Sequence, residues 1–145
     1  MKCALVSGAS KGLGRELSFM LAEEGYSLVL TSRTLPELES IKAELQEKFR
    51  DTECRCIAAD LSHRTGIDAL CSGVAETEVD VLINNAGTFP IKNIVNFDAE
   101  DYDRCMTLNV EAPIFLSKHF FAGMKKKGSG VIINIGSSSS YNGSP

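Results

Sequence analysis

The chain has 145 residues, 43% hydrophobic and 23% charged, a composition that predicts one soluble globular domain with a sizeable core. Its formal net charge of −4 gives no support to a nucleic-acid or anionic-membrane partner. The five cysteines are odd in number and include no C-x-x-C pair, which argues against a disulfide framework and against a metal site.

No stretch reaches the ~18–20 apolar residues of a membrane span. The apolar run Cys3-Ala4-Leu5-Val6 begins too near Met1 to leave room for a secretory leader, so a cytoplasmic location is the expectation. Cys3, Cys54 and Cys56 fall in strand-like runs, where free cysteine behaves as a small hydrophobe. The Lys125-Lys126-Lys127 run reads as a solvated helix end, where cations suit the dipole.

In chain order, the first strand runs into Val6-Ser7-Gly8-Ala9-Ser10-Lys11-Gly12-Leu13-Gly14-Arg15, and a helix follows with Leu13, Leu17, Met20 and Leu21 at helical spacing. A strand, a glycine-rich turn and a helix in that order suit an anion at the helix N-terminus. Gly25 stops the helix, residues 27–32 read as a second buried strand, and Pro36 opens a helix whose face is Leu38, Ile41, Leu45 and Phe49. Residues 53–60 predict a third strand, 67–76 a weaker helix, and 80–84 a fourth strand leading into Asn85-Ala86-Gly87. The acidic turn Asp98-Ala99-Glu100-Asp101 starts a long helix with the stripe Met106, Val110, Ile114, Ser117, Phe121 and Met124, which Pro113 should kink or divide. Residues 131–135 form a fifth strand.

The alternation of continuously apolar strands with helices predicts an α/β fold, a doubly wound parallel sheet of the Rossmann type, occupying residues 1–145 as one domain. Ligands of such sheets bind at the carboxyl ends of the strands, and polar residues do follow each strand here. After strand two stands Ser32-Arg33, where an acid would bind the ribose hydroxyls of NAD(H) and repel a 2′-phosphate. A neutral serine followed by arginine welcomes that phosphate, and Lys11 in the glycine turn supplies a second cation. Either cation alone could be an ordinary surface charge; together they favour NADP(H) over NAD(H). Asp60 could accept from an adenine amino group with Leu61 flanking the ring, or Asp60 or Ser62 could cap the next helix. Two adjacent amides at a strand end, Asn84-Asn85, need hydrogen-bond partners, and Ala86-Gly87 lets the backbone approach a cofactor ribose.

Five segments in order resemble the short-chain dehydrogenase/reductase family from end to end of the chain. They are Ser7-Gly8-Ala9-Ser10-Lys11-Gly12-Leu13-Gly14, Asp60-Leu61, Asp80-Val81-Leu82-Ile83-Asn84-Asn85-Ala86-Gly87, Leu108-Asn109-Val110 and Ile133-Asn134-Ile135-Gly136-Ser137-Ser138. The glycine spacing and the Asn-Asn-Ala-Gly segment argue against other Rossmann proteins such as methyltransferases or nucleotide-sugar epimerases. The resemblance implies hydride transfer between NADP(H) and a small-molecule carbonyl or alcohol. It implies Ser137 as the carbonyl-polarising serine, selected from a run of four by the preceding Asn134-Ile135-Gly136, and Asn109 as the asparagine of a proton relay. Gly8, Ser10, Lys11, Gly12, Leu13, Gly14, Ser32, Arg33, Asp60, Leu61, Asn85, Ala86 and Gly87 are the candidate cofactor-binding residues, and no metal is implied.

The family's acid/base tyrosine heads a Tyr-x-x-x-Lys motif roughly a dozen residues past the serine, where a nearby positive charge lowers a phenol pKa of ~10. Tyr141 is too close to Ser137 to fill that place, and no lysine follows Lys127. The expectation is therefore a cofactor-binding portion incomplete at its C-terminus and inactive by itself, the alternative being a truncated, non-catalytic nucleotide-binding product. An apolar face around Phe115, Phe120 and Phe121 should be left partly uncovered. A complete family member would be a homo-oligomer.

Overall fold

Five runs of apolar residues form parallel strands, and a helical segment covers the crossover between each strand and the next. The computed structural model describes residues 1–138. In order these are β1 (Cys3–Ser7), α1 (Gly12–Glu23), β2 (Ser27–Ser32), α2 (Leu35–Lys48), β3 (Cys54–Ala58), α3 (Arg64–Gly73) and β4 (Val81–Asn84). A short 3-10 turn, Ile94–Asn96, precedes α4 (Ala99–Met106), a π-helical turn (Thr107–Glu111), α5 (Ala112–Lys127) and β5 (Val131–Asn134). The sheet order is β3-β2-β1-β4-β5, with Leu5 of β1 lying between Val29 of β2 and Leu82 of β4.

Side chains alternate across this sheet, so each strand feeds two cores. Leu5, Val29 and Leu82 pack with Ile67 and Leu70 of α3 and with Leu116 and Phe120 of α5. Ala4, Val6, Leu28, Leu30 and Ile83 pack on the opposite face with Ala22 of α1 and Leu38, Ile41 and Leu45 of α2. This is the expected doubly wound α/β arrangement, and the order of strands changes direction between β1 and β4, where such sheets open a crevice.

Three details differ from the sequence reading. In α1 the buried row is Gly14, Ser18 and Ala22, whereas Leu13 and Met20 are exposed. The helix lies so close to the β1 turn that only small residues fit between them. The long helix carries two apolar rows, and the buried one is Ala112, Leu116, Phe120 and Met124. Of the predicted stripe, Val110, Ile114 and Phe121 face outward. The π turn inserts its extra residue just before Pro113, whose missing N–H would break a regular α ladder there; this rotates the following helix in phase. Phe120 is buried and Phe115 lies under the Arg64 guanidinium, 3.6 Å from the ring centroid, so only Phe121 of the three predicted phenylalanines is open.

The third difference is β5, an edge strand. Ile132 packs against the core, but Val131, Ile133 and Ile135 on its other face are uncovered among the described residues. Among those residues no helix is long and apolar enough to cross a membrane.

Asp80, immediately before β4, ties three elements together. Its carboxylate accepts from the Cys3 backbone N–H at 2.8 Å and from Lys127 at the end of α5, while its backbone carbonyl accepts from Val131. The Lys127 bond holds the Asp80 carboxyl below its ordinary pKa; burial opposes this and the Cys3 N–H reinforces it. A depressed folded-state value contributes stability above the unfolded carboxylate pKa of about 4, which is lost as the pH falls through the folded value. Asp80→Asn should therefore lower stability near neutrality and flatten its fall between about pH 5 and pH 2. Denaturant midpoints measured across that range check this; an unchanged acid slope would exclude Asp80 as a contributor.

Candidate functional site

The carboxyl ends of β1, β2, β3 and β4 open onto one cleft of about 600 Å³. The glycine turn forms its floor. Gly8 has φ +65°, a left-handed conformation that favours glycine, and a Cβ there would come within 2.9 Å of the Ala86 Cα. A Cβ on Gly14 would meet the Gly8 carbonyl oxygen at 2.2 Å, so this glycine lets α1 rest directly on the turn.

Ser7 and Asn85 lock the turn to the end of β4. The Ser7 hydroxyl accepts from the backbone N–H groups of Asn85 and Ala86, each at 3.0 Å, and donates to the Ile83 carbonyl at 3.3 Å. The Asn85 amide returns the link, donating to the carbonyls of Ser7 at 2.9 Å and Gly8 at 3.2 Å. Asn84 instead ties β4 to β5 and α5, donating to Asn134 Oδ1 at 2.8 Å and Ser117 Oγ at 3.3 Å. The two adjacent amides therefore have different jobs: one shapes the cleft and one fastens the sheet.

At one end of the cleft Ser10, Lys11, Ser32, Arg33, Thr34 and Glu37 come together. Thr34 occupies the N-cap position of α2, yet its hydroxyl makes no capping bond and donates to Glu37 Oε2 at 2.5 Å. Hydrogen bonds from Thr34 and Ser10, with the charges of Lys11 and Arg33, hold the Glu37 carboxyl below its ordinary pKa.

Asp60 and Leu61 form the wall beyond β3. The Asp60 carboxylate accepts from the Ser62 backbone N–H at 3.0 Å and from its hydroxyl at 2.7 Å, a local turn; the N-cap position of α3 belongs to His63. Partial burial pushes the Asp60 carboxyl up, but the Ser62 bonds and the charges of His63 and Arg33 outweigh it and leave the pKa lowered. Gly66 in α3 fixes this wall, since a Cβ there would lie 2.0 Å from the Asp60 carbonyl oxygen.

A second cleft, about 570 Å³, shares Asn85, Ala86 and Gly87 with the first and extends to Asn109, Ile114, Ser117 and Asn134. Asn109 sits in the π turn and grips the Thr88 backbone with both ends of its amide, accepting from the N–H and donating to the carbonyl at 2.8 Å each.

Every candidate cofactor-binding residue lines the first cleft except Gly12 and Gly14, which shape the start of α1 behind it. Asn109 lines the second; Ser137 follows β5 in the chain and lines neither. Tyr141 lies outside the described residues. Sequence reasoning overlooked Ser7 as a hub, Gly66, and the Thr34–Glu37 pair. A signal for the pair existed, because Thr34-x-x-Glu37 before an apolar helix has the pattern of a capping box. Among the described residues no cluster of histidine, cysteine and acidic side chains could hold a metal.

Comparison with known proteins gives one consistent result. Residues 2–145 match the family model described as short chain dehydrogenase. A very-long-chain 3-oxoacyl-CoA reductase-like protein of Arabidopsis thaliana is 33% identical over 136 residues, covering 92% of this chain and 44% of that protein. The bulky-bulky ketone specific alcohol dehydrogenase of Comamonas testosteroni superimposes with a TM-score of 0.93 at 29% identity, covering 99% of this chain and 57% of that one. A short-chain dehydrogenase of Sphingobium yanoikuyae, solved in complex with NADPH, superimposes with a TM-score of 0.92 at 29% identity, covering 98% and 56%. The chain spans about half the length of the curated relatives it matches.

Proposed function

The chain belongs to the short-chain dehydrogenase family, and on that premise we propose that its first cleft is the cofactor site of an NADP(H)-dependent oxidoreductase acting on a carbonyl or alcohol carbon. The observation that carries the cofactor reading is the convergence of Lys11 and Arg33 beside Ser10 and Ser32, with neither residue at the end of β2, Ser32 or Arg33, an acid. A 2′-phosphate fits that corner through charge-assisted hydrogen bonds. The glycine turn fits a pyrophosphate: a Cβ on Gly12 would stand in open space, and the first turn of α1 carries N–H groups without helical partners.

Asp60 accepts from the adenine amino group, and Leu61 flanks the ring. Ala86 and Gly87 leave room for the second ribose. When bound, NADPH supplies a hydride to the carbonyl carbon. Ser137 donates a hydrogen bond to the substrate oxygen, and Asn109, anchored on Thr88, serves the proton relay. The free cysteines suit a cytoplasmic setting.

A narrower reading applies to these 145 residues alone. Leu30, Met106 and Pro145 stand four residues after Tyr26, Tyr102 and Tyr141, so no tyrosine here heads a Tyr-x-x-x-Lys motif. Nucleotide binding with little or no turnover is the expected behaviour. Calorimetric titration of the chain with NADPH and NADH is the test. NADPH should bind at least about tenfold tighter, as one charge-assisted contact of ~1.5–3 kcal/mol requires. Equal affinities would overturn the NADP(H) assignment, and steady NADPH oxidation by this chain would overturn the narrower reading.

A further inference from the structure

The corner assigned to the 2′-phosphate already contains an anion. Glu37 lies in the first turn of α2, and its carboxylate accepts the Thr34 hydroxyl at 2.5 Å. Ser10 hydrogen-bonds to the same carboxylate, and the charges of Lys11 and Arg33 act on it. Its side chain lines the cleft with those four residues. Thr34 and Ser10 are thus engaged by a side chain of the protein itself, while Lys11 and Arg33 act on that side chain through their charge alone. Thr34 shows this most directly, because in the N-cap position its hydroxyl would ordinarily turn to the backbone of α2.

We propose that Glu37 is a specificity-determining residue: its carboxylate occupies the anion subsite formed by Ser10, Lys11, Arg33 and Thr34, and a 2′-phosphate must displace it to bind. This rests on the NADP(H) reading of the cleft and refines it. Two like charges cannot share one subsite at low cost, so the incoming phosphate forces the exposed Glu37 side chain to swing outward and give up its bonds to Thr34 and Ser10. A nucleotide with a free 2′-hydroxyl leaves Glu37 in place and offers it a proton to accept. The carboxylate therefore narrows the preference for phosphorylated over unphosphorylated nucleotide that Lys11 and Arg33 create.

The test is calorimetric titration of the wild-type chain and Glu37→Gln with 2′,5′-ADP and with 5′-AMP. Glutamine keeps an acceptor for Thr34 and a good helix former in an exposed first turn, so the variant is expected to fold, and far-UV circular dichroism verifies it. Removing one like charge at contact distance should tighten 2′,5′-ADP by about fivefold to tenfold. Binding of 5′-AMP should change by less than about twofold. If Glu37→Gln leaves 2′,5′-ADP unchanged or weaker, or tightens both nucleotides alike, Glu37 is not the competing anion; the cofactor reading survives wherever wild type still prefers 2′,5′-ADP. If neither protein prefers 2′,5′-ADP over 5′-AMP, the NADP(H) reading fails and the role of Glu37 falls with it.

Discussion

Gly14→Ala is expected to cost about 3–5 kcal/mol, a large part of the ~5–15 kcal/mol that holds a domain of this size together. The added Cβ would sit 2.2 Å from the Gly8 carbonyl oxygen, 2.9 Å from the Gly8 carbonyl carbon and 2.5 Å from the Asn85 amide nitrogen. The Gly8 contacts are with backbone, which no side-chain rotation relieves. Moving α1 away would pull the Gly14-Ser18-Ala22 row off the sheet, and moving the turn would break the Asn85 bonds to Ser7 and Gly8. Whatever part of the protein remains folded should therefore have lost its nucleotide site. Gly123→Ala is the matched control: it lies inside α5 with nothing within 4 Å of its would-be Cβ, and should stabilise by about 0.5–1 kcal/mol. Urea midpoints for both variants decide the matter. A Gly14→Ala protein within about 1 kcal/mol of wild type would mean that α1 does not rest on the turn as described.

Arg33→Asp should produce the largest change in ligand preference. It removes a cation from the corner proposed for the 2′-phosphate and introduces the acid that would accept ribose hydroxyls. Losing a charged hydrogen bond and adding a repulsion together amount to about 3 kcal/mol, or roughly a hundredfold weaker NADPH binding. NADH should shift by no more than about threefold, because Arg33 meets no phosphate in that complex. Titration of both cofactors into both proteins reads the difference. Equal losses for the two cofactors would leave Arg33 as an ordinary surface charge and remove the main support for NADP(H).

Much of the candidate site could be read before any coordinates. Ser7-Gly8-Ala9-Ser10-Lys11-Gly12-Leu13-Gly14 places its glycines where a turn and a close helix approach demand them, and both demands appear at Gly8 and Gly14. The strand-end residues Ser32, Arg33, Asp60, Asn85 and Gly87 converge because a parallel sheet brings all its carboxyl ends to one edge. Ser7 escaped notice because its partners in space, Asn85 and Ala86, are distant in sequence, whereas Glu37 had a local signal in Thr34-x-x-Glu37 that went unread. Helix phase escaped notice for another reason. Two apolar rows run along α5, and periodicity alone does not say which one meets the sheet.

Local periodicity and turn chemistry were enough to specify the alternation of strands and helices, the parallel sheet and the glycine turn, since each depends on residues a few positions apart. The packing of those elements settled the rest. Contact with the β1 turn buried the small row of α1 instead of Leu13 and Met20, and the π turn before Pro113 rotated α5 so that Leu116 and Phe120 face the core. It also brought the Glu37 carboxylate into the same corner as Lys11 and Arg33. These outcomes depend on shape and charge between segments far apart in the chain, and such contacts exist only once the sheet has formed.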